Sequence, residues 1–187
     1  MEDYTILVSN SGEVVGTAPK LSSHNKHTLL HLAFSIFLFN AQGQLLLQQR
    51  SHKKKTWPGI WANSCCGHQK LDEKLEITGA NRLRFELGIT DAHLDVLLPD
   101  FRYKCEMNGI WENEICPVLV GITHQSPRPN PEEVEDTKCI FWEEWLHLVK
   151  NDDPQVAYWS KKETELLEKS SEFQIFLQRE VRNERSR

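Results

Sequence analysis

The chain has 187 residues, 39% of them apolar, which supplies the length and core material of one domain rather than several. A formal net charge of −5 argues against a general nucleic-acid-binding surface, so any anionic ligand is expected to be small and bound by a local basic cluster. Five cysteines at irregular spacing argue against a secreted disulfide framework and indicate a reducing compartment.

The N-terminal half is predicted to be mostly sheet. Tyr4 to Ser9 and Val14 to Thr17 flank the turn-forming segment SNSGE and predict an opening hairpin. The stretch HLAFSIFLFNAQGQLLLQQR, His31 to Arg50, predicts two core strands joined by a turn at Ala41 to Gln44.

The middle of the chain is predicted to form one helix followed by strands. Leu71 to Leu87 predicts a helix that ends at Gly88, although Gly79 lowers its intrinsic propensity by about 1 kcal/mol relative to alanine. Strands over roughly Leu94 to Glu106 and Asn113 to Thr123 follow from the residue pattern.

The C-terminal part is predicted to be a loop followed by helices. The segment Ser126 to Asp136 contains three prolines and is expected to be a loop bordering a site. Ser160 with Glu163, and Ser171 with Gln174, have the spacing of capping boxes, so each pair is expected to start a helix.

No membrane segment is expected. The longest apolar run, Leu29 to Phe39, is too short to cross a bilayer and is interrupted by His31, and the N-terminus lacks the basic region of a signal peptide. We therefore expect a cytoplasmic protein without membrane or nucleic-acid partners, present as a monomer or a homodimer.

The segment NSCCGH, Asn63 to His68, carries groups that bind metals and move protons. Side chains alternate along a β-strand, so Cys66 and His68 would share one face while Cys65 points to the other. A thiol and an imidazole would then face one cavity.

A second segment, WENEICP, runs from Trp111 to Pro117. In a strand, Glu112 and Glu114 share a face opposite Trp111. Two ionised carboxylates crowded in a dry site repel each other, and a bound cation relieves that repulsion, with His68 as a ready partner ligand.

The string GHQKLDEKLEITGANRLRFELGI, Gly67 to Ile89, resembles a Nudix box. It departs at Asn81 and Phe85, where the box has arginine and glutamate, so the carboxylate cluster that holds magnesium in Nudix hydrolases is incomplete. Glu86 is retained and can help to hold a cation against a diphosphate. Taken alone, the segment is equally consistent with a surface helix that carries an Arg82–Glu86 pair.

Four stretches together resemble the type 1 isopentenyl-diphosphate isomerase family over roughly Leu7 to Trp159: HTLLHLAFSIFLFN, KKTWPGIWANSCCGHQKL, PDFRYK and WENEICPV. WPGIWANSCCGH and ENEICPV are the most specific of these elements. The resemblance implies an α/β (α+β) Nudix fold, a mixed β-sheet sandwiched between helices, with an N-terminal hairpin and C-terminal helices added. It also implies a single catalytic domain over residues 1–187, with a core at about 29–150 and the C-terminal helices at 160–183.

The resemblance also implies the reacting groups and a metal centre. Cys66 and Glu114 become the proton-transfer pair, with Tyr103 hydrogen-bonded near the acid. One divalent metal is expected in a cage of three histidines and two glutamates, a ligand set that suits zinc or manganese: His24, His31, His68, Glu112 and Glu114. The residues alone do not select His24, because His27 and His31 at helical spacing form a competing pair.

By the same resemblance, Glu86 and Cys66 correspond to the site of a second ion, one magnesium that arrives with the substrate diphosphate. A diphosphate clamp is expected from four basic residues: Lys20, Arg50, Lys54 and Arg82. The alternative for the run RSHKKK is a solvated basic loop. By the resemblance, Trp159 presents its aromatic face to the positive charge that develops on the substrate. Its alternative role is that of a core or lid residue.

The implied activity is conversion of isopentenyl diphosphate, a small-molecule diphosphate, to dimethylallyl diphosphate by protonation and deprotonation through a tertiary carbocation. Two alternatives stay open. One is a Nudix hydrolase acting on a nucleoside diphosphate derivative, and the other is a metal-binding module without turnover, since fold alone does not guarantee function.

Overall fold

The computed structural model describes residues 4–181. Within this range the strands are β1 (Tyr4–Val8), β2 (Val14–Pro19), β3 (His31–Asn40), β4 (Leu45–Arg50), β5 (Trp61–Ala62), β6 (Cys65–His68), β7 (His93–Leu98), β8 (Arg102–Met107), β9 (Ile110–Ile115), β10 (Val118–Thr123) and β11 (Val134–Ile140). The helices are α1 (Lys20–Ser23), α2 (Leu75–Leu87), α3 (Trp142–Lys150), α4 (Tyr158–Leu167) and α5 (Ser171–Phe176), the last continuing into a π-helical turn over Leu177–Val181.

Strand β3 is the centre of the sheet. Its sequence HLAFSIFLFN is almost continuously apolar, as expected for a strand covered on both faces. Along one edge it pairs antiparallel with β1, β6 and β4. Along the other edge it pairs in parallel with β9 and β10. Strands from both halves of the chain therefore meet on β3.

The two faces of β3 are covered by different helices. Phe34 and Ile36 pack in one cluster with Leu83 of α2. Phe37 and Phe39 pack in another cluster with side chains of α3, α4 and α5. The mixed sheet thus lies between α2 on one face and the C-terminal helices on the other, which confirms the predicted fold class.

Gly79 explains how α2 approaches the sheet. A Cβ atom at this position would lie 3.1 Å from Leu94 Cδ1 and 3.2 Å from Ile36 Cδ1. The glycine therefore lowers the helix propensity of α2 but permits close contact between helix and sheet.

Several predicted boundaries differ in the structure. The predicted strand from Leu94 to Glu106 is two strands separated at Pro99, and the one from Asn113 to Thr123 is two strands separated at Pro117. Proline lacks the N–H group that a strand ladder requires, which accounts for both interruptions. Helix α2 begins at Leu75 rather than Leu71.

The C-terminal loop and helices also begin at other residues than predicted. Strand β11 begins at Val134, inside the predicted loop, because it pairs with β4. The predicted cap at Ser160 is wrong, since α4 begins at Tyr158. The cap of α5 is Ser170, one residue before the predicted Ser171, and its side chain accepts a hydrogen bond from the Phe173 backbone N–H. Residues 182–183, the predicted end of the last helix, lie outside the described residues.

Among residues 4–181, the helices all lack the length and apolar character needed to cross a membrane.

Candidate active site

The pairing of strands with β3 brings the predicted site residues to one face of the sheet. Residues directly opposite each other on paired strands share a face. Cys66 of β6 lies opposite Ser35, and Glu114 of β9 lies opposite His31. Tyr103 of β8 lies opposite Glu114. Because β6 and β9 flank opposite edges of β3, the thiol and the carboxylate approach this face from two sides.

A cavity of about 320 Å³ opens on this face, within the usual size range of small-molecule sites. Most of the predicted site residues line it: Lys20, His24, Arg50, Lys54, Cys66, His68, Arg82, Tyr103, Glu112, Glu114 and Trp159. Two predicted residues are not among the lining residues, His31 and Glu86. His31 is fully buried beside Glu114.

Three histidines and Glu114 form a compact group. Each of His24, His31, His68 and Glu114 offers one ligand atom, and these atoms lie within 4.8 Å of one another. His31 Nε2 is 3.3 Å and His68 Nε2 is 3.8 Å from Glu114 Oε1. Glu112 lies next to the group, with its Oε2 2.9 Å from His24 Nε2. The structure therefore brings together all five residues of the predicted cage.

Backbone carbonyls orient two of the imidazoles. His31 Nδ1 lies 2.9 Å from the carbonyl oxygen of Leu29, and His24 Nδ1 lies 3.4 Å from that of Lys20. A carbonyl can only accept, so each Nδ1 carries a proton, and Nε2 is the nitrogen that can bind a metal once it is deprotonated. This arrangement is typical of metal-binding histidines.

The buried polar atoms of the cage fit a cation. His31 Nε2, His68 Nδ1 and Glu112 Oε2 are buried without a hydrogen-bond partner. Buried polar atoms are rarely left in this state, because each loses its hydration without compensation. A divalent ion bound by nitrogen and oxygen ligands would satisfy them, and zinc and manganese accept such ligands.

The cage groups shift one another's pKa values. Burial lowers the pKa of His31, but the hydrogen bond and charge of Glu114 raise it above its ordinary value. Burial, with the neighbouring His31 and His24, holds the pKa of His68 well below its ordinary value, so this imidazole is neutral. Burial and the adjacent Glu114 raise the pKa of Glu112. Burial alone would raise the pKa of Glu114, but hydrogen bonds and charge from His31, with a hydrogen bond from Tyr103, hold it below its ordinary value.

The other two predicted catalytic groups keep their protons at neutral pH. Burial raises the pKa of the Cys66 thiol to about 12, and Ser35 and Asn63 oppose that rise through hydrogen bonds. Burial and the charge of Glu114 raise the pKa of Tyr103 well above its ordinary value, so its phenol donates to the Glu114 carboxylate. The cavity thus holds a thiol, a phenol and a carboxylate on one face.

Glu86 lies on the α2 face of the sheet, where two side chains contact its carboxylate. Its carboxylate accepts hydrogen bonds from Arg82 Nε, at 2.7 Å, and from the Cys65 thiol, at 3.3 Å. Cys65 points to the α2 face of the sheet, whereas Cys66 points to the cavity. Glu86 is therefore held beside the first cysteine of the pair, and the magnesium site at Glu86 and Cys66 stays a prediction.

The four predicted cations line the cavity together, and contacts with neighbouring side chains and backbone hold Arg82, Lys54 and Arg50 in place. Arg82 Nη2 lies 2.8 Å from Glu133 Oε2, and Lys54 pairs with the same carboxylate. Arg50 donates to the carbonyl and hydroxyl of Thr56 at 3.0 and 2.9 Å. The basic cluster is thus a partly buried and organised wall rather than a solvated loop.

Trp159 joins helix α4 to this wall. Its ring lies 5.5 Å from Trp57 and 5.9 Å from Tyr103 between centroids, and the Arg50 guanidinium lies 5.8 Å from its centroid. Its Nε1 donates to Asn63 Oδ1 at 3.2 Å. Trp159 is 3% exposed and lines the cavity, so it is both a packed residue and a face of the site.

Four residues near the site were missed by sequence reasoning: Ser35, Asn63, Glu133 and Glu163. Ser35 lies within an apolar strand pattern, and Glu133 lies in a loop predicted only to border the site. Asn63 precedes the cysteines in NSCCGH, which was the available signal for it. Ser160 and Glu163 have the spacing of a capping box, but in the structure both side chains are fully buried.

Glu163 gives a prediction for the pH dependence of stability. Burial and the nearby Glu114 raise its pKa from 4.5 to about 8, while Ser35 and Cys116 partly oppose the rise. Between these two pH values the unfolded chain releases this proton and the folded chain retains it, so the free energy of unfolding falls as pH rises. Glu163→Gln removes this loss and should be more stable than the parent by up to roughly 3 kcal/mol at pH 7, with little difference near pH 4.

Urea unfolding of both proteins across this pH range measures the difference. The groups that face Glu163, namely Glu114, Cys116 and Cys66, are common to both proteins, so their direct contributions largely cancel in the comparison. Parallel stability curves for the two proteins would contradict the prediction.

The comparisons with known proteins agree with this geometry. Residues 29–166 match the NUDIX domain family. An isopentenyl-diphosphate Delta-isomerase of Saccharopolyspora erythraea is 42% identical over 168 residues, which cover 89% of this chain and 87% of the relative. An isopentenyl-diphosphate Delta-isomerase of Enterobacter sp. is 45% identical over 152 residues, covering 80% and 81% of the two chains.

Solved structures show the same fold at low sequence identity. A Deinococcus radiodurans protein matches with a TM-score of 0.65 at 20% identity and covers 90% of this chain and 99% of its own. A MutT protein of Methanosarcina mazei matches with a TM-score of 0.53 at 22% identity and covers 63% and 81%. With a NUDIX match over most of its length and more than 40% identity to isomerases over more than four fifths of their chains, this protein belongs to the isopentenyl-diphosphate Delta-isomerase family of NUDIX domain proteins.

Proposed function

We propose that this protein converts isopentenyl diphosphate to dimethylallyl diphosphate. The observation that carries the proposal is the approach of Cys66 and Glu114 to one cavity from opposite edges of β3. Moving the double bond requires one proton to be added to the terminal alkene carbon and another to be removed from the carbon next to the tertiary cation so formed. Two proton-active groups on different sides of a bound five-carbon chain meet this requirement.

Cys66 and Glu114 are proposed as the two proton-transfer groups. One proton is added to one carbon and one proton is removed from another, so the substrate is isomerised without net proton uptake. The Tyr103 phenol donates to Glu114 and holds this carboxylate in place on its strand. The buried setting limits water, which would otherwise capture the carbocation.

A divalent metal is proposed in the cage of His24, His31, His68, Glu112 and Glu114. When bound, a zinc or manganese ion would neutralise the paired carboxylates and stabilise the ionised form of Glu114. The chain itself supplies the orientation, through the backbone carbonyls that fix the imidazole tautomers. One magnesium bound with the diphosphate is proposed near Glu86 and Cys66.

The diphosphate is proposed to bind to the basic wall formed by Lys20, Arg50, Lys54 and Arg82. Charge-assisted hydrogen bonds from lysine and arginine to phosphate oxygens are strong and directional. This leaves the hydrocarbon end of the substrate against Cys66, Glu114 and Trp159. The Trp159 ring can stabilise positive charge on that end by a cation–π interaction.

Incubation of the pure protein with isopentenyl diphosphate and magnesium in heavy water tests the activity. We expect dimethylallyl diphosphate that has gained deuterium, because the added proton derives from groups that exchange with solvent. Heat-denatured protein under the same conditions is the control. Absence of both product and deuterium uptake would refute the proposal.

The same experiment distinguishes the alternatives. A hydrolase would release phosphate or a nucleotide instead, but α2 exposes Phe85 where the Nudix box has a glutamate. A metal-binding module would bind metal and produce neither. A single catalytic domain, a monomeric or homodimeric state and a cytoplasmic location are part of the proposal, and gel filtration tests the oligomeric state.

A further inference from the structure

Glu133 is a partly buried acid to which the proposed chemistry gives no role. One oxygen of its carboxylate, Oε2, accepts from Arg82 Nη2 at 2.8 Å and also pairs with Lys54 Nζ. Arg82 and Lys54 both belong to the proposed diphosphate site, and both line the cavity. Glu133 is not among the residues that line it, so its carboxylate contacts the two cations from outside the space that a ligand would fill.

Backbone hydrogen bonds fix the position of Glu133 relative to both cations. Its carbonyl oxygen accepts from the Ser51 N–H at 2.9 Å, three residues before Lys54. The Asn130 N–H, three residues before Glu133, donates at 2.8 Å to the carbonyl oxygen of Glu86 in α2, the helix that carries the arginine. The segment that ends at Glu133 is therefore attached to both elements whose cations it contacts.

The contacts with Glu133 leave donors of both cations available to a ligand. The ammonium group of Lys54 has three N–H donors, and its pairing with Glu133 needs one of them. The guanidinium of Arg82 has five donors, and its bonds to Glu86 and Glu133 come from Nε and Nη2, without the two donors of Nη1. Phosphate oxygens can therefore bind to both cations while the cations stay in contact with Glu133.

Glu133 also balances the charge of the two cations. Burial and the charge of Arg50 lower the pKa of Lys54, whereas the hydrogen bond and charge of Glu133 oppose this fall. Burial alone would raise the pKa of Glu133, but Arg82 and Lys54 hold it below its ordinary value. The carboxylate is therefore ionised at neutral pH, and its charge lets the two cations lie side by side before an anionic ligand binds.

Lysine and arginine side chains lose much conformational freedom when they are fixed against a ligand, and this loss weakens binding. Contacts with Glu133 restrict both side chains in advance. We propose that Glu133 is a positioning residue that holds Lys54 and Arg82 in the orientation that binds the diphosphate of the substrate. The inference rests on the proposed function, because the diphosphate site is part of that proposal.

The sign of the effect of Glu133→Ala separates positioning from electrostatics. Removal of a negative charge beside an anion site would by itself strengthen anion binding. Loss of positioning would weaken it, because the two side chains would then have to be ordered during binding. We expect Glu133→Ala to raise the Kd for inorganic pyrophosphate by about tenfold, measured by isothermal titration calorimetry in the presence of magnesium.

Three further variants complete the test. Glu133→Gln keeps an oxygen that can accept from both cations, so its Kd should stay within about threefold of the parental value. Glu133→Met keeps the length of the side chain without an acceptor; it should show the same loss as the alanine variant and repeats the test if that variant does not fold. The matched control is Glu132→Ala, because Glu132 pairs with Lys53 and both side chains are exposed. It should bind pyrophosphate as the parent does.

Isomerase kinetics are the second readout. The diphosphate is unchanged by the reaction, so its contacts are equally strong in the bound substrate and in the transition state. Glu133→Ala should therefore raise KM by about tenfold and change kcat by less than about twofold. A general disturbance of the fold would lower kcat as well.

Parental or tighter pyrophosphate binding in Glu133→Ala would overturn the inference. An equal loss of binding in Glu132→Ala, or a loss in Glu133→Gln as large as that in Glu133→Ala, would also overturn it. A parent that binds pyrophosphate but does not isomerise would refute the proposed function, while the Kd values of the variants would still decide the role of Glu133.

Discussion

Replacement of Cys66 by alanine is expected to abolish isomerisation while leaving the metal in place. The variant loses the proton-active group on one side of the cavity, and no other cysteine of the described chain lines that cavity. Loss of a general acid or base lowers turnover by about 10²–10⁴-fold, and we expect the upper part of this range because the reaction needs two such groups. Metal content should stay close to that of the parent, since the ligand atoms of the cage are imidazoles and carboxylates.

The measurements are kcat with isopentenyl diphosphate and metal content by elemental analysis of protein purified in parallel. Cys139→Ala is the matched control, because Cys139 lies on β11 and outside the cavity, and it should behave as the parent does. Parental turnover in Cys66→Ala would show that the thiol takes no part in the reaction.

Replacement of Glu114 by glutamine is expected to lower both turnover and metal affinity. The amide has almost the shape of the acid, but it cannot exchange a proton at neutral pH and brings no negative charge to the three histidines. We expect turnover to fall by about 10³-fold or more, and metal affinity by at least about tenfold. The Tyr103 phenol would also lose the charged acceptor that it now has.

Glu112→Gln is the informative comparison for this second variant. Glu112 lies beside His24 and shares the cage, but it is not proposed to exchange a proton with the substrate. It should therefore lower metal affinity with a smaller loss of turnover once metal is supplied in excess. Titration of each protein with zinc and with manganese, followed by turnover at saturation, separates the two roles. Retention of both metal and turnover in Glu114→Gln would contradict the assignment of this residue.

The pair of predictions also distinguishes the two proton-transfer groups from each other. Cys66→Ala separates chemistry from metal binding, whereas Glu114→Gln affects both. In a protein that only bound metal, Glu114→Gln would still lower metal affinity. Neither variant would lower turnover, because there would be no turnover to lose.

Much of the site could be predicted from short stretches of sequence. Strand alternation predicted that Cys66 and His68 share a face and that Glu112 and Glu114 do the same, and the structure has these side chains on one face. Alternation is a property of a single strand, so a local pattern is enough to establish it. The apolar run of β3 likewise predicted a core strand by itself.

Other features required the tertiary structure. The sequence did not indicate that β6 and β9 flank opposite edges of one strand, which is what sets Cys66 against Glu114. Glu133 contacts Arg82, although the two residues are 51 positions apart in the chain. Ser160 contacts Asn63 across 97 positions. Such contacts depend on how distant elements dock, and local propensity carries no information about docking.

The capping-box spacing of Ser160 and Glu163 shows the difference most clearly. Ser160 and Glu163 are three residues apart, and this separation puts two side chains on one face in any α-helix. The predicted cap at Ser160 was wrong, since Trp61 holds the segment before α4 by backbone hydrogen bonds and α4 begins two residues earlier, at Tyr158. The sequence by itself therefore determined the periodic placement of reactive side chains, and the tertiary structure decided which of them are buried together.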